Sequence, residues 1–268
     1  MIWTTMILKT SNTSKQSVND LCSFLADYGA HLLASGATCI RLDKNICRIA
    51  SSYGMKAEMT IMPRHIHITI LDEQTCEIQT AIASVPDTGI NFSVITELSR
   101  LSWEIADKKI DLYKAIDKYN KIIIVTGQNK LFTILLVMLA NASFCRLFGG
   151  DIIAMIIVGI SCFAGYYTKT WLTSRKMDVR LVFIICSMVS SVIGSTDILF
   201  AVGTTPEISL SSSVLYLVPG IPLLNSFSDM LYRRYLCSFA RFTDAVILTC
   251  CISIGLYIGS LLMNTNLF

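Results

Sequence analysis

The chain has 268 residues, of which 53% are hydrophobic and 15% charged, with a formal net charge of +3 and a mean hydropathy of +0.59. That balance excludes an ordinary soluble domain, and so small a net charge leaves no electrostatic footprint for nucleic acid. Most of the charge precedes residue 130; the only later basic residues are Arg146, Lys169, Arg175, Lys176, Arg180, Arg233, Arg234 and Arg241. An aqueous domain over residues 1–125 and a membrane domain over residues 126–268 are therefore expected.

Met1 to Leu8 is apolar but has no basic n-region and no small-residue cleavage site. It predicts no signal peptide and hence a cytoplasmic N-terminal domain. Ser17, with Asp20 three residues on, resembles a capping box at the start of a helix carrying Val18, Leu21, Cys22, Leu25, Tyr28, Leu32 and Leu33 on one face. A second helix places Ile40, Ile46, Ile49, Ala50 and Tyr53 together and stops at Gly54. Three β-rich runs follow, Ala57 to Met62, His65 to Leu71 and Glu77 to Val85, separated by Pro63-Arg64 and Asp72-Glu73-Gln74. They predict a small antiparallel sheet. After Pro86-Asp87-Thr88-Gly89 the period returns to 3.6 with Val94, Leu98, Leu101 and Ile105 aligned and Asn91 as cap, and a short helix from Asp111 to Lys121 leads to the membrane. The domain reads as α+β.

His65 and His67 face one side of a strand, either as a metal pair or proton relay, or as polar residues on a solvated face. Asp72, Glu73 and Glu77 serve either acid–base chemistry or a hairpin turn. No nucleotide-binding or hydrolase fingerprint occurs, which argues against an ATP-driven pump, and no metal or cofactor is expected. The ten cysteines show no C-x-x-C spacing and read as small buried residues of a reducing compartment.

Five spans are expected at residues 131–148, 151–168, 181–202, 209–226 and 243–263, each near the ~20 residues a bilayer requires. Phe148-Gly149-Gly150-Asp151 joins the first two as a tight hairpin, or the pair forms one re-entrant unit. Basic residues cluster between spans two and three and between four and five. With Lys114, Lys118, Lys121 and Lys130 also cytoplasmic, Asn264 to Phe268 falls outside. Span four is interrupted by Leu217-Val218-Pro219-Gly220-Ile221-Pro222-Leu223-Leu224-Asn225. Broken helices in lipid occur where backbone is buried in protein or lines a wet cavity; the break either exposes backbone groups and Asn225 to a small polar solute or only shapes packing. Asp197 either faces a wet interior as an ion carrier or ends its span at the outer interface. Arg146 and Asp151 either pair or snorkel to the interface, and Arg146 is also a candidate for attracting an anion. Ser187/Ser191, Ser190/Gly194 and Gly255/Gly259 have small-x-x-x-small spacing, suited to another subunit or to packing within the chain.

Four motifs then carry a resemblance. They are Ser35-Gly36-Ala37 followed by Arg41; Gly89-Ile90-Asn91 with Val94, Thr96 and Glu97; Phe144-Cys145-Arg146 with Gly149-Gly150; and the Leu217 to Asn225 stretch with Asp229. Over nearly its whole length the chain resembles the large subunit of the threonine/serine exporter family, most closely its two-subunit, succinate-exporter-like branch. The resemblance implies an α-helical membrane protein of the bacterial inner membrane with five transmembrane helices and an N-terminal cytoplasmic α+β domain. It implies export of a small amino acid or dicarboxylate together with a smaller integral membrane subunit, in a higher-order oligomer, and no activity of this chain alone. Thr38 stands where many relatives carry an acid, and Asp197 belongs to none of these motifs. The substrate-path candidates are Pro219, Gly220, Pro222, Asn225, Asp229 and Arg146; Asp197 is the ion-coupling candidate; Gly36, Arg41, Gly89, Asn91 and Glu97 form the soluble-domain motif. Two other functions compete: a membrane-anchored hydrolase using His65 and His67, and a regulatory or assembly subunit.

Overall fold

The computed structural model describes the backbone over residues 2–72, 76–124, 130–200 and 202–264, and side chains over the same stretches from residue 18 onward, residue 130 excepted. The side chains of Ser17 and Lys130, the turn residues Glu73 and Gln74, and the tail from residue 265 lie outside the described residues. The chain forms two compact units, Met1–Thr126 with Ile221–Phe242, and Gly127–Gly220 with Thr243–Phe268.

In the first unit, α1 (Ile2–Ala34) runs through Ser17 without a break, so the capping-box expectation there is overturned: a helix already in progress has no orphan N–H groups to cap. Then come α2 (Cys39–Ser52), capped by Thr38, and an antiparallel sheet in the order β1 (Met55–Ile61), β2 (His65–Asp72), β3 (Ile78–Ser84). The period of two puts Ile66, Ile68 and Ile70 of β2 on one fully buried face, against α1. His65 and His67 take the opposite face, the first exposed and the second half-buried. Next, α3 (Phe92–Lys108) contributes Leu98, Leu101 and Ile105, and α4 (Leu112–Ile124) follows. Leu25, Tyr28 and Leu32 of α1, with Leu42, Ile46 and Ile49 of α2, complete the core. Each such side chain contributes ~1.5–3 kcal/mol on burial.

The second unit begins with α5 (Lys130–Leu147), turns over Gly149, whose φ is +92°, and continues as α6 (Ile152–Ser174) and α7 (Val179–Gly194). A short α8 (Thr196–Phe200) and α9 (Pro206–Ser213) lead to a 3-10 turn, Leu215–Leu217. After the break, α10 (Gly220–Leu231) and α11 (Tyr235–Leu262) complete the described chain. The pattern of α6 inverts that of a soluble helix. Ile152, Ile156, Ile160 and Phe163 are exposed, while Ala154, Gly159, Ser161 and Gly165 are buried. Bulky apolar groups outside and small or polar ones inside suit a lipid solvent, where helices associate by close approach.

Among the described residues three helices are long and apolar enough to cross a membrane, Ile152–Ser174, Val179–Phe200 and Tyr235–Leu262, and a fourth span results if Pro206–Leu217 and Gly220–Leu231 count as one. At 18 residues α5 is about 27 Å long, just short of the ~30 Å hydrocarbon core. Gly255 and Gly259 of α11 lie against Ile184, Ser187, Met188 and Ser191 of α7, and the Ser187 hydroxyl donates to the Ile252 carbonyl at 2.7 Å. The small-residue spacing therefore serves packing within this chain.

Candidate functional site

The motif residues of the first unit converge on the turn after α1. Gly36 holds φ at +93°, and a Cβ there would lie 3.1 Å from Ile90 Cγ1, so both backbone conformation and space require glycine. Gly89, at φ +75°, turns the chain so that Ile90 covers Gly36 and the Asn91 N–H donates to the Ser35 carbonyl at 2.9 Å. The Asn91 side-chain oxygen meanwhile accepts from the N–H groups of Ser93 and Val94, capping α3.

The segment after the break reaches the same turn. Asn225 Nδ2 donates to the Gly36 carbonyl at 2.8 Å. Asp229, fully buried, accepts from the Cys39 N–H at 2.9 Å and pairs through Oδ2 with Arg241 Nη1 at 2.9 Å. Arg241 Nη2 donates to the Ala37 carbonyl at 2.7 Å. An anion at the first N–H groups of α2 also meets the positive end of the helix dipole. The Cys39 thiol is held above its usual pKa by its hydrogen bond with Cys237 and by burial, and so stays neutral. Chemically this is a latch: the Asn225 amide and the Asp229 carboxylate are both engaged with the protein itself.

Sequence reasoning found Gly36, Gly89, Asn91, Asn225 and Asp229 as separate motif pieces; the structure brings them together. Arg41 and Glu97 stay apart, the first exposed at the start of α2 and the second paired with Arg100 at 2.9 Å. The Cys39 N–H and Arg241 were missed. Asp229 is the sole acid between Glu207 and Asp244, and a carboxylate buried there demands a cation, a signal that pointed toward one of the following arginines.

At the break, Val218 and Pro219 stand between helical segments. Pro222 lies in the first turn of α10, where a missing N–H costs nothing, so of the interruption expected over Leu217 to Asn225 only the part up to Pro219 breaks the helix. Arg146 is exposed and its Nη1 donates to the Gly150 carbonyl at 3.0 Å; among the described residues no ion pair joins it to Asp151. Asp151 instead caps α6 through Ala154 N–H and accepts from the Thr204 N–H and hydroxyl. Asp197 is fully buried just past the end of α7, with Oδ1 accepting from the Gly203 N–H at 2.8 Å. An open cleft of about 550 Å³ beside Asp20, Asp27, Asp111 and Tyr113 involves none of the motif residues. Groups of three or more metal-ligating side chains are absent among the described residues, and His65 and His67 gain no further ligand.

Apolar helices with a buried small-residue interior, in a chain that also carries an α+β unit, define a multi-pass membrane protein. The model of the family described as "Putative threonine/serine exporter" (ThrE) matches residues 23–263, and the chain belongs to this family. It is 29% identical over 250 residues to the "Probable succinate transporter subunit YjjP" of Klebsiella aerogenes, covering 92% of this chain and 95% of the relative. The protein of the same description from Escherichia coli K12 is 27% identical over 243 residues, covering 90% and 93%. No solved structure matches it significantly. Membership makes the chain an exporter component of the inner membrane rather than an enzyme, and the hydrolase alternative lapses.

Proposed function

We propose that this chain is the large subunit of a secondary exporter that moves a small polar metabolite, a dicarboxylate such as succinate or else threonine or serine, out of the cytoplasm. Support for the substrate class comes from the names of the relatives, which span both options. A smaller integral membrane subunit completes the transporter, in a higher-order oligomer. The membrane domain, residues 126–268, crosses five times with α5 as its short first span. Basic residues cluster in alternate connections, which favours a cytoplasmic N-terminal domain, residues 1–125, and an external C-terminus.

One observation carries the assignment of the path: α10, the arm beyond Pro219, is fastened by Asn225 and Asp229 to the Gly36 turn and to Cys39. The path runs beside Pro219, Gly220 and Pro222, where the missing proline N–H frees backbone carbonyls for a polar solute. Asn225 and Asp229 hold this stretch in place, Arg146 attracts an anion, and the Gly36, Arg41, Gly89, Asn91 and Glu97 motif frames the domain side. Transport is driven by an ion gradient through Asp197.

The test is co-expression with the small membrane subunit, followed by efflux of succinate and of threonine and serine, for the native chain and for Asn225→Ala. Loss of efflux with the complex intact supports the path. Undiminished efflux from Asn225→Ala removes it, and efflux of neither substrate class removes the substrate assignment.

A further inference from the structure

Among the described residues Asp197 is the one fully buried acid of the second unit, and its surroundings leave it incomplete. Its Oδ1 accepts from Gly203 N–H, but Oδ2 is buried and has no hydrogen-bond partner among the described residues. The position a Cβ would take on Gly203 lies 2.8 Å from Asp197 Oδ1, 3.0 Å from Asp197 Oδ2 and 3.1 Å from Asp151 Oδ2. Oxygens of both carboxylates therefore converge on the same side of Gly203, where any larger side chain would crowd them. No lysine or arginine forms an ion pair with either acid among the described residues; the nearest in sequence, Arg146, is spent on the Gly150 carbonyl. Both Asp151 oxygens accept hydrogen bonds, one from the Ala154 N–H and the other from the Thr204 N–H and hydroxyl.

A buried carboxylate without a cation is costly, and at Asp197 the half-buried carboxylate of Asp151 nearby adds repulsion. Ser195 and Ser209 are fully buried with hydroxyl oxygens that have no partner among the described residues, and they flank the contact where Gly194 of α7 meets Leu210 of α9. The C-terminal end of α7, at Gly194, carries the negative end of a helix dipole.

We propose that Asp197 and Asp151, converging beside Gly203, bind a desolvated monovalent cation, Na⁺. In the topology proposed above this point lies at the outer end of the membrane domain, where the inward-moving ion of a cation-coupled exporter enters. That role rests on the exporter reading; binding of the ion does not.

The test is binding of radioactive Na⁺ in choline buffer to the purified complex of the full chain with its small subunit. The wild type should bind Na⁺ saturably. Asp197→Asn, Asp151→Asn and Gly203→Ala should each weaken binding by about tenfold or more, while Asp244→Asn, an exposed acid on α11, should not. Gly203→Ala keeps both acids and sets a methyl against the oxygens that converge there, and a native gel-filtration profile verifies the fold of each variant. Absence of Na⁺ binding by the wild type, including a complex that exports on a pH gradient alone, overturns the site, as does native affinity in Asp197→Asn and Gly203→Ala. If Na⁺ binds through Asp197 but neither succinate nor threonine or serine leaves the vesicles, the site stands and the export reading falls.

Discussion

Asp229 in the first unit and Asp197 in the second are both fully buried acids among apolar helices, but they are satisfied in opposite ways. Each has one oxygen that accepts a backbone N–H and one that makes no hydrogen bond among the described residues, but the second oxygen of Asp229 is neutralised by the Arg241 guanidinium at 2.9 Å, while that of Asp197 lies near a second acid. The first arrangement is complete without any ligand and so serves to fasten. The second is incomplete within the protein and so is the place to look for an ion. Burial alone therefore does not separate a structural acid from a functional one; the inventory of partners does.

Removing the cation from the complete site should have the largest effect. Arg241→Met leaves Asp229 buried and unpaired, which should cost ~3–5 kcal/mol of stability in the first unit. Denaturant unfolding of the purified chain measures it, and Asp229→Asn combined with Arg241→Met should recover part of the loss. Native stability in Arg241→Met alone would erase the contrast between the two acids. Gly36→Ala tests the turn on which the latch closes: the positive φ should cost about 1–2 kcal/mol, with a further loss from the contact with Ile90. Trimming Ile90 to alanine in that background should return only the steric part.

The same neutralisation at Asp197 should behave differently. Asp197→Asn keeps an acceptor for Gly203 N–H and removes an uncompensated charge, so stability should stay within about 1 kcal/mol of the native value or rise. A loss as large as that of Arg241→Met would mean that Asp197 is a structural acid with an unseen partner.

The smallest effect concerns an exposed pair that sets the scale for both acids. Glu104 accepts from Lys118 first and Lys108 second, and these hold its carboxyl below the usual range. A carboxyl whose folded pKa is depressed contributes stability above its unfolded pKa of ~4.3 and loses it as pH falls through the folded value. Glu104→Gln should therefore be slightly less stable than the native chain at neutral pH, and the gap should close below about pH 4 in thermal unfolding scans.

Much of the first unit was legible in sequence. The three strands, their antiparallel pairing, the Asn91 cap and the stop at Gly54 follow from periods of 2.0 and 3.6 and from local turn chemistry, none of which needs distant residues. The start of α1 was misplaced because Ser17 and Asp20 have cap spacing inside a helix that simply continues. In the second unit the expected span at residues 181–202 divides at Ser195 into α7 and α8, and the last helix begins at Tyr235, before its apolar run does. Hydropathy averages over a window and does not register where a hydrogen-bond ladder ends.

The sequence by itself separated a charged first part from an apolar second one and determined the elements of the sheet and the break at Pro219, because each depends on composition or on the covalent limits of a few neighbouring residues. Only the tertiary structure decided that residues 221–242 return to the N-terminal domain's unit, that Asn225, Asp229 and Arg241 close on Gly36, Ala37 and Cys39, and that Asp151 meets Asp197 beside Gly203. Those partners lie between 46 and 204 positions apart. Nothing local encodes such pairings; they are fixed by which packing leaves the fewest buried charges and polar groups without a partner.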